Sequence, residues 1–318
     1  MLTPCYNTPV NITILSQEHK DTWNDLVNGT PTGHVMQTWE FGDVREASGT
    51  QIVRIGMFEK DTLVGGAQMS VHPIPKLPYQ IGYIARGPVF ANETESILTD
   101  FLKFLKQYAH ANNIAFIKLE PNVPIGSVKS EIWTNSLNSL NAQISSNPRF
   151  MNATSMIDLT KSEEELLRNC SKNTRYYIRK AEREGFVFRE AIDKSDLTTF
   201  YKLLKDTSQR QNFSLAARPL SYFEHLWDIF RPSTPNTLTN IRLFFAELEG
   251  TPVATVLNLY AGKKAYYPYG ASSLDARGTA ATEGLMWHCV MQAKQAGCVK
   301  YDLWGILAEE DKEHPYWG

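Results

Sequence analysis

The chain is poor in the residues that mark several functional classes. Cysteine occurs four times, at Cys5, Cys170, Cys289 and Cys298. None form a Cys-x-x-Cys pair or an even framework, which speaks against a disulfide scaffold or a thiolate zinc site and favours reduced thiols in a cytoplasm. No apolar run approaches the ~18 residues of a membrane span. The start, MLTPCYNTPVNITILS, has no charged segment followed by an apolar one, so it does not read as a secretory signal. The seven histidines are scattered; His34, His72 and His314 show no metal-ligand spacing, and His288 on a helix reads as a packed histidine rather than a catalyst. GxSxG, P-loop and HExxH motifs are absent. Charge of one sign is lacking too: 32 Lys and Arg stand against 34 Asp and Glu, so any anion binding must come from a local patch.

What is present is apolar material for two cores. Hydrophobic residues make up 42% and aromatics 11% of 318 residues, which excludes disorder and suits two domains of ordinary size. Ile52–Glu59 and Leu63–Val71 alternate around Glu59-Lys60-Asp61, a hairpin pattern. An apolar strand, QIGYIARGPVF, follows. Residues 93–111 then carry apolar side chains at helical spacing, ahead of a strand over Ile114–Leu119. The second half repeats this order. Ile241–Leu248 and Val253–Tyr260 flank Glu249-Gly250-Thr251; AYYPYGAS is the third strand, Ala281–Ala296 a helix ended by Gly297, and VKYDLWGI the last strand. Equivalent pieces lie roughly 185–190 residues apart. Helix-rich stretches, Gln17–Ser48 and about Ser162–Arg231, precede the two copies. This order resembles the GNAT (acyl-CoA N-acyltransferase) unit. It predicts a mixed α+β fold of two tandem GNAT-like domains, 1–150 and 151–318, each a mixed, mostly antiparallel sheet flanked by helices. The boundary falls in the polar stretch Asn138–Asn152.

One helix carries a basic stripe. Ser162-Glu163-Glu164-Glu165 is a capping box, and the helix can run to Glu184 with Gly185 as its stop. Arg168, Lys172, Arg175, Arg179 and Arg183 recur at spacings of 4, 3, 4 and 4, within a sector of roughly 80°. Lys180 widens it, while Leu166, Leu167, Cys170, Tyr177, Ile178 and Ala181 lie opposite. Such a ridge fits a polyanion, with sequence-independent, salt-sensitive phosphate contacts. A solvated face is the alternative, and a break at Ser171, Asn173 and Thr174 would split the ridge.

Three further groups stand out. Arg218 precedes a helix for which Ser221 and Glu224 form an N-cap pair, a place suited to an anion. Tyr266-Tyr267-Pro268-Tyr269-Gly270 is an aromatic strand segment in which alternation puts Tyr267 and Tyr269 on one face, with Pro268 arguing against full pairing. Asp302, near a strand end, either orients a neighbour, acts as a base or makes a structural hydrogen bond.

SKNTRYYIRKAEREGFVFREA, ARPLSYF, AYYPYGAS and KYDLWGI, in this order, with QTWEFGDVREASG, IARGPVF and EHPYWG, resemble the FemABX family of peptidoglycan bridge-forming aminoacyltransferases over nearly the whole chain. The resemblance implies transfer of an amino acid from aminoacyl-tRNA to the stem-peptide amine of a peptidoglycan precursor, UDP-MurNAc-pentapeptide or lipid II, without metal or organic cofactor. It implies that Arg218 and Tyr222 hold precursor phosphates, that Arg45 stands where a Lys is common, that Tyr267 or Tyr269 lines the precursor cleft, and that Arg168, Lys172, Arg175, Arg179 and Lys180 meet the tRNA. No catalytic residue can be named. A cytoplasmic monomer touching the inner membrane face transiently is expected. The family's coiled-coil arm is absent, as in FemX-like members. The usual Phe-Lys-x-x-Phe-Gly-Gly stretch does not follow Trp317-Gly318, so a C-terminal truncation is expected. Two other readings stay open: a FemAB-like N-acyltransferase using acyl-CoA on another amine, and a non-catalytic binding protein.

Overall fold

The structure, a computed structural model, describes residues 10–151, 153–231 and 239–306. The chain divides into two compact units between Pro148 and Arg149.

The first unit opens with β1 (Val10–Ile14), α1 (Lys20–Gly29) and α2 (Trp39–Ala47), then β2 (Gln51–Glu59) and β3 (Thr62–Pro73). After these come β4 (Gln80–Ala85), β5 (Val89–Phe90), α3 (Glu95–Ala111), β6 (Ile114–Glu120) and α4 (Val128–Ser139). The sheet order is β1-β2-β3-β4-β6, antiparallel except for the parallel β4–β6 pair. Thr94 caps α3 by accepting the Ile97 amide, and Leu98, Phe101, Leu102 and Leu105 form its buried stripe. The expected third strand, QIGYIARGPVF, is broken in two. Arg86 turns through φ 53°, and Val89–Phe90 fold back onto Gly65–Gly66 of β3.

The QTWEFG segment explains itself structurally. The fully buried Gln37 amide donates to the carbonyls of Gln68 (3.2 Å) and Ala85 (2.7 Å) and accepts from Gln68 N–H (2.8 Å). Arg54, 9% exposed on β2, lies 4.2 Å over the Trp39 ring and pairs with Asp43 (2.6 Å) and Glu46 (3.1 Å). Burial raises the Asp43 pKa, an effect that Arg54 and Lys20 oppose. A Cβ on Gly42 would fall 2.2 Å from Gln68 Oε1 and 2.5 Å from the Arg54 guanidinium, so a side chain there would displace both groups. A buried cation bonded to two carboxylates, the Gln68 amide oxygen and the Trp39 carbonyl is a locking device for α2 on the sheet.

The second unit runs β7 (Ala153–Asp158), α5 (Glu163–Asn169), α6 (Lys172–Arg183), β8 (Val187–Glu190), α7 (Asp196–Gln211), α8 (Leu220–Phe230), β9 (Thr239–Leu248), β10 (Thr251–Ala261), β11 (Lys264–Ser272), α9 (Ala281–Gln295) and β12 (Lys300–Ile306). Its sheet order is β7-β12-β11-β10-β9-β8, again antiparallel but for one parallel pair, β11–β12. The β9–β10 hairpin turns through Glu249 and Gly250, both at positive φ, the conformation a two-residue hairpin prefers. Helix α9 packs its buried Leu285, Cys289, Val290 and Ala293 on one face of this sheet. α6 crosses α9 at Gly284, where a Cβ would sit 2.5 Å from Ala181 Cβ.

Each unit therefore has an antiparallel three-strand meander, a helix and a returning parallel strand; two helices and an edge strand precede these in the first unit, and four helices and two edge strands in the second. The edge strands β1, β7 and β8 lie outside the pattern read from the sequence. The units differ at the parallel pair. β4 pairs with β6 along its whole length, whereas β11 pairs with β12 only through Lys264–Tyr266. Two irregularities accompany that early parting. β10–β11 slips register opposite Tyr267-Pro268, and β12 bulges between Asp302 and Gly305 with Trp304 at φ 68°.

Candidate functional site

Arg218, Tyr222 and Tyr269 come together in the second unit. Tyr222 sits in the first turn of α8 and is 5% exposed. Its hydroxyl accepts from the Tyr269 hydroxyl at 3.3 Å. The exposed Arg218 guanidinium lies 5.6 Å from the Tyr269 ring centroid. Phe223 braces Tyr269 edge-on at 5.0 Å. The result is a solvent-facing fork of N–H donors held over a ring, with two phenols beside it. That set can grip a phosphate through charge-assisted hydrogen bonds. The helix start differs from expectation: Pro219, with extended ψ, is the N-cap of α8, and Ser221 lies inside the helix.

Tyr267 does not share the Tyr269 face. Tyr269 is registered opposite Leu257 and Tyr266 opposite Leu259, so the residues between them form a bulge that breaks the alternation. Tyr267 points instead toward α9, where burial pushes its pKa up to about 12, with Cys289 adding to the shift. A Cβ on Gly270 would fall 1.9 Å from the Tyr267 hydroxyl, so a side chain there would push the Tyr267 ring aside.

Tyr267 lines a cavity of about 800 Å³ within this unit. Its wall is mostly apolar, with Leu166, Ile178, Met286 and Leu303, and it also includes Thr282 and Glu283 from the first turn of α9. The α9 N-terminus is not left to solvent. Glu184 Oε2 accepts the Ala280 amide at 3.0 Å, and Lys180 pairs with Glu184 at 3.3 Å while donating to the Gly278 carbonyl at 3.1 Å. Glu184 is the C-cap of α6, where its charge opposes that helix's own dipole. It is satisfied across the crossing, by the positive end of α9.

The basic ridge is not continuous. Cys170 and Ser171 are both extended, and Ser171 Oγ accepts from the Thr174 amide to start a new helix, so α5 and α6 are separate. Arg175 turns back to donate to the Arg168 carbonyl at 2.9 Å and to that of Cys170, closing the end of α5. Lys180 is spent on the α9 turn. Arg168, Lys172, Arg179 and Arg183 stay exposed.

The other candidates resolve as follows. Arg45 lies on α2 of the first unit, its guanidinium 5.5 Å from the Phe41 ring. Asp302 is buried and accepts from the Thr154 hydroxyl and from Trp304 N–H (2.8 Å), which ties β7 to the β12 bulge. Burial, with Arg242 adding to it, lowers the His288 pKa, and the ring stacks on Phe188 at 5.5 Å, a packing role. Among the described residues no cluster of His, Cys, Asp and Glu could hold a metal ion. His314 and the EHPYWG segment lie outside the described residues. Two features escaped sequence reasoning: the Arg54 lock, and Lys264, whose pKa burial brings down to about 8 with help from Lys300 and against Asp302.

Residues 17–249 match the FemAB family. The chain belongs to this family. A lipid II:glycine glycyltransferase of Staphylococcus aureus is 24% identical over 96% of this chain and 86% of its own length. The crystal structure of FemX superposes with a TM-score of 0.82 at 21% identity, covering 97% of this chain and 92% of that one. A tandem GNAT protein from the clavulanic acid biosynthesis pathway covers 92% of this chain and 89% of its own, with a TM-score of 0.54 and 10% identity. The fold is thus that of tandem GNAT-like units, and the chain is an enzyme of an aminoacyltransferase family in cell-wall synthesis.

Proposed function

We propose that this chain moves an amino acid from aminoacyl-tRNA onto the stem-peptide amine of a peptidoglycan precursor, forming part of the interpeptide bridge. Family membership and the likeness to a lipid II:glycine glycyltransferase support the reaction class. One observation carries the acceptor: the exposed Arg218 guanidinium over the half-buried Tyr269, whose hydroxyl reaches the buried Tyr222, is a donor set fitted to a diphosphate. UDP-MurNAc-pentapeptide and lipid II both carry one. Arg45, in the first unit, is a further cation proposed to bind the precursor. The protein works as a monomer in the cytoplasm and meets the inner membrane face transiently when the acceptor is lipid-linked.

In the reaction the neutral amine attacks the ester carbonyl. The C–N bond forms, the bond to the ribose oxygen breaks, and the proton lost by the amine leaves with that oxygen as a hydroxyl. No metal or organic cofactor is called for. Orientation and shelter from water are the protein's part.

An acyl-CoA donor is the competing reading, supported by the tandem GNAT likeness. A diphosphate-bearing donor entering the cavity would favour the N-terminus of α9. There Glu184 already holds the Ala280 amide, and Glu283 adds a second carboxylate at the cavity wall. Both disfavour a further anion, which supports the RNA-borne donor. The test offers the protein a charged tRNA pool or acetyl-CoA together with precursor pentapeptide, and weighs the product. A mass increase of one aminoacyl residue, seen only with tRNA, is expected; an acetylated product from acetyl-CoA alone would reverse the assignment.

A further inference from the structure

Among the described residues, the outward side of α6 is left exposed. Lys172, Tyr176, Arg179 and Arg183 follow one another at intervals of 4, 3 and 4, which holds them within about 60° of one another along about 16 Å of helix. All four are exposed, Tyr176 at 53%. Among the described residues the three cations have no ion pair, whereas Arg175 and Lys180 on the flanks are consumed by backbone carbonyls. The opposite side, with Ile178 and Ala181, is buried, and Ile178 and Thr174 form part of the cavity wall. The Tyr176 ring stands edge-on to Tyr177 at 5.4 Å, which fixes its position between cations one turn away on either side.

We infer that this face of α6 is a platform for an unpaired RNA segment, with Lys172, Arg179 and Arg183 on phosphates and Tyr176 stacked on a base. The inference rests on the RNA-borne donor proposed above. Cations at successive turns match a phosphate chain, and an exposed ring among them is what single-stranded nucleic acid uses and a duplex backbone does not. A membrane surface would ask for aliphatic residues along the outward stripe, and the stripe has none. Because the inner side of the same helix walls the cavity, a strand held outside lies one helix diameter, ~10 Å, from that space.

The test is fluorescence anisotropy of the full chain with a labelled single-stranded RNA of about 8 nucleotides and, separately, with a blunt RNA hairpin of equal charge, over a salt series. Tyr176→Ala should weaken the single strand about 5- to 100-fold without changing the salt slope, and Tyr176→Phe should restore it. Lys172→Ala and Arg179→Ala should each lower the slope of log K against log salt by about 0.7. Unchanged affinity in Tyr176→Ala, or equal affinity for the hairpin, overturns the platform. So does capture by phosphatidylglycerol vesicles through these residues without RNA binding. Transfer from charged tRNA by Tyr176→Ala at the wild-type KM would discard the platform while leaving the tRNA donor intact. Absence of transfer by the wild-type chain would instead remove the donor reading.

Discussion

Replacing Arg218 by Met separates binding from stability. The side chain is exposed, and its recorded partner is the Tyr269 ring at 5.6 Å, so the fold loses little. A surface substitution of this kind shifts stability by about 0.5 kcal/mol or less. The loss for a bound precursor is larger. Hydrogen bonds from a guanidinium to a phosphate are charge-assisted and contribute about 1.5–3 kcal/mol. At 2–3 kcal/mol the affinity for UDP-MurNAc-pentapeptide falls about 30- to 150-fold. Arg218→Lys keeps the charge but not the fork, and a loss of about tenfold is expected. Tyr269→Phe removes the hydroxyl that reaches Tyr222 and has a smaller effect. Isothermal titration with the soluble precursor reads the affinity, and a thermal melt of each variant reads the fold. Arg218→Met binding within twofold of wild type, with an unchanged melt, would refute the reasoning that this cluster seats the phosphates.

Other consequences follow from the packing and the titrating groups. Lys264 has its pKa brought down to about 8 from 10.5 by burial. The unfolded chain therefore holds one more proton than the folded chain between those values, so stability should rise with pH across that window. Lys264→Met should gain about 2 kcal/mol at pH 7 and flatten the rise, as read by urea midpoints from pH 7 to 10.5. Gly284→Val forces a side chain against Ala181, 2.5 Å from the new Cβ. Overpacking of about 1–3 kcal/mol is expected, with selective loss of hydrogen-exchange protection in α6; uniform protection would contradict the close crossing. Arg54→Ala leaves Asp43 and Glu46 without their buried cation and should cost about 3–5 kcal/mol in a denaturant titration, much more than a surface arginine.

The duplication was legible because its signals are local. Each hairpin alternates with period two around a turn, and each crossover helix carries an apolar stripe of period 3.6. The site was legible in part. Arg218 and Tyr222 are four apart at a helix entry, and that spacing alone brings them to one end of α8. Tyr267 and Tyr269 misled because alternation assumes an unbroken ladder, and the bulge opposite Leu257–Leu259 adds a residue. The basic ridge carried its own break among the expected alternatives, at Ser171, Asn173 and Thr174. Its spacing runs unbroken from Arg168 to Arg183, yet Ser171 outcompetes the helix by capping a new one. The Arg54 lock and the Glu184 contact were invisible, since each joins residues distant in sequence and nothing local distinguishes a buried arginine or a capping glutamate from a surface one. β1 and β8 are short edge strands with half-exposed patterns, too weak to stand out.

The most direct measurement of the central claim uses tRNA charged with a labelled amino acid, incubated with the protein and UDP-MurNAc-pentapeptide or lipid II. Label should pass to the precursor as an alkali-stable amide, and ribonuclease treatment of the donor beforehand should abolish the transfer. Label remaining on tRNA with either acceptor, or transfer that survives the ribonuclease, would contradict the account.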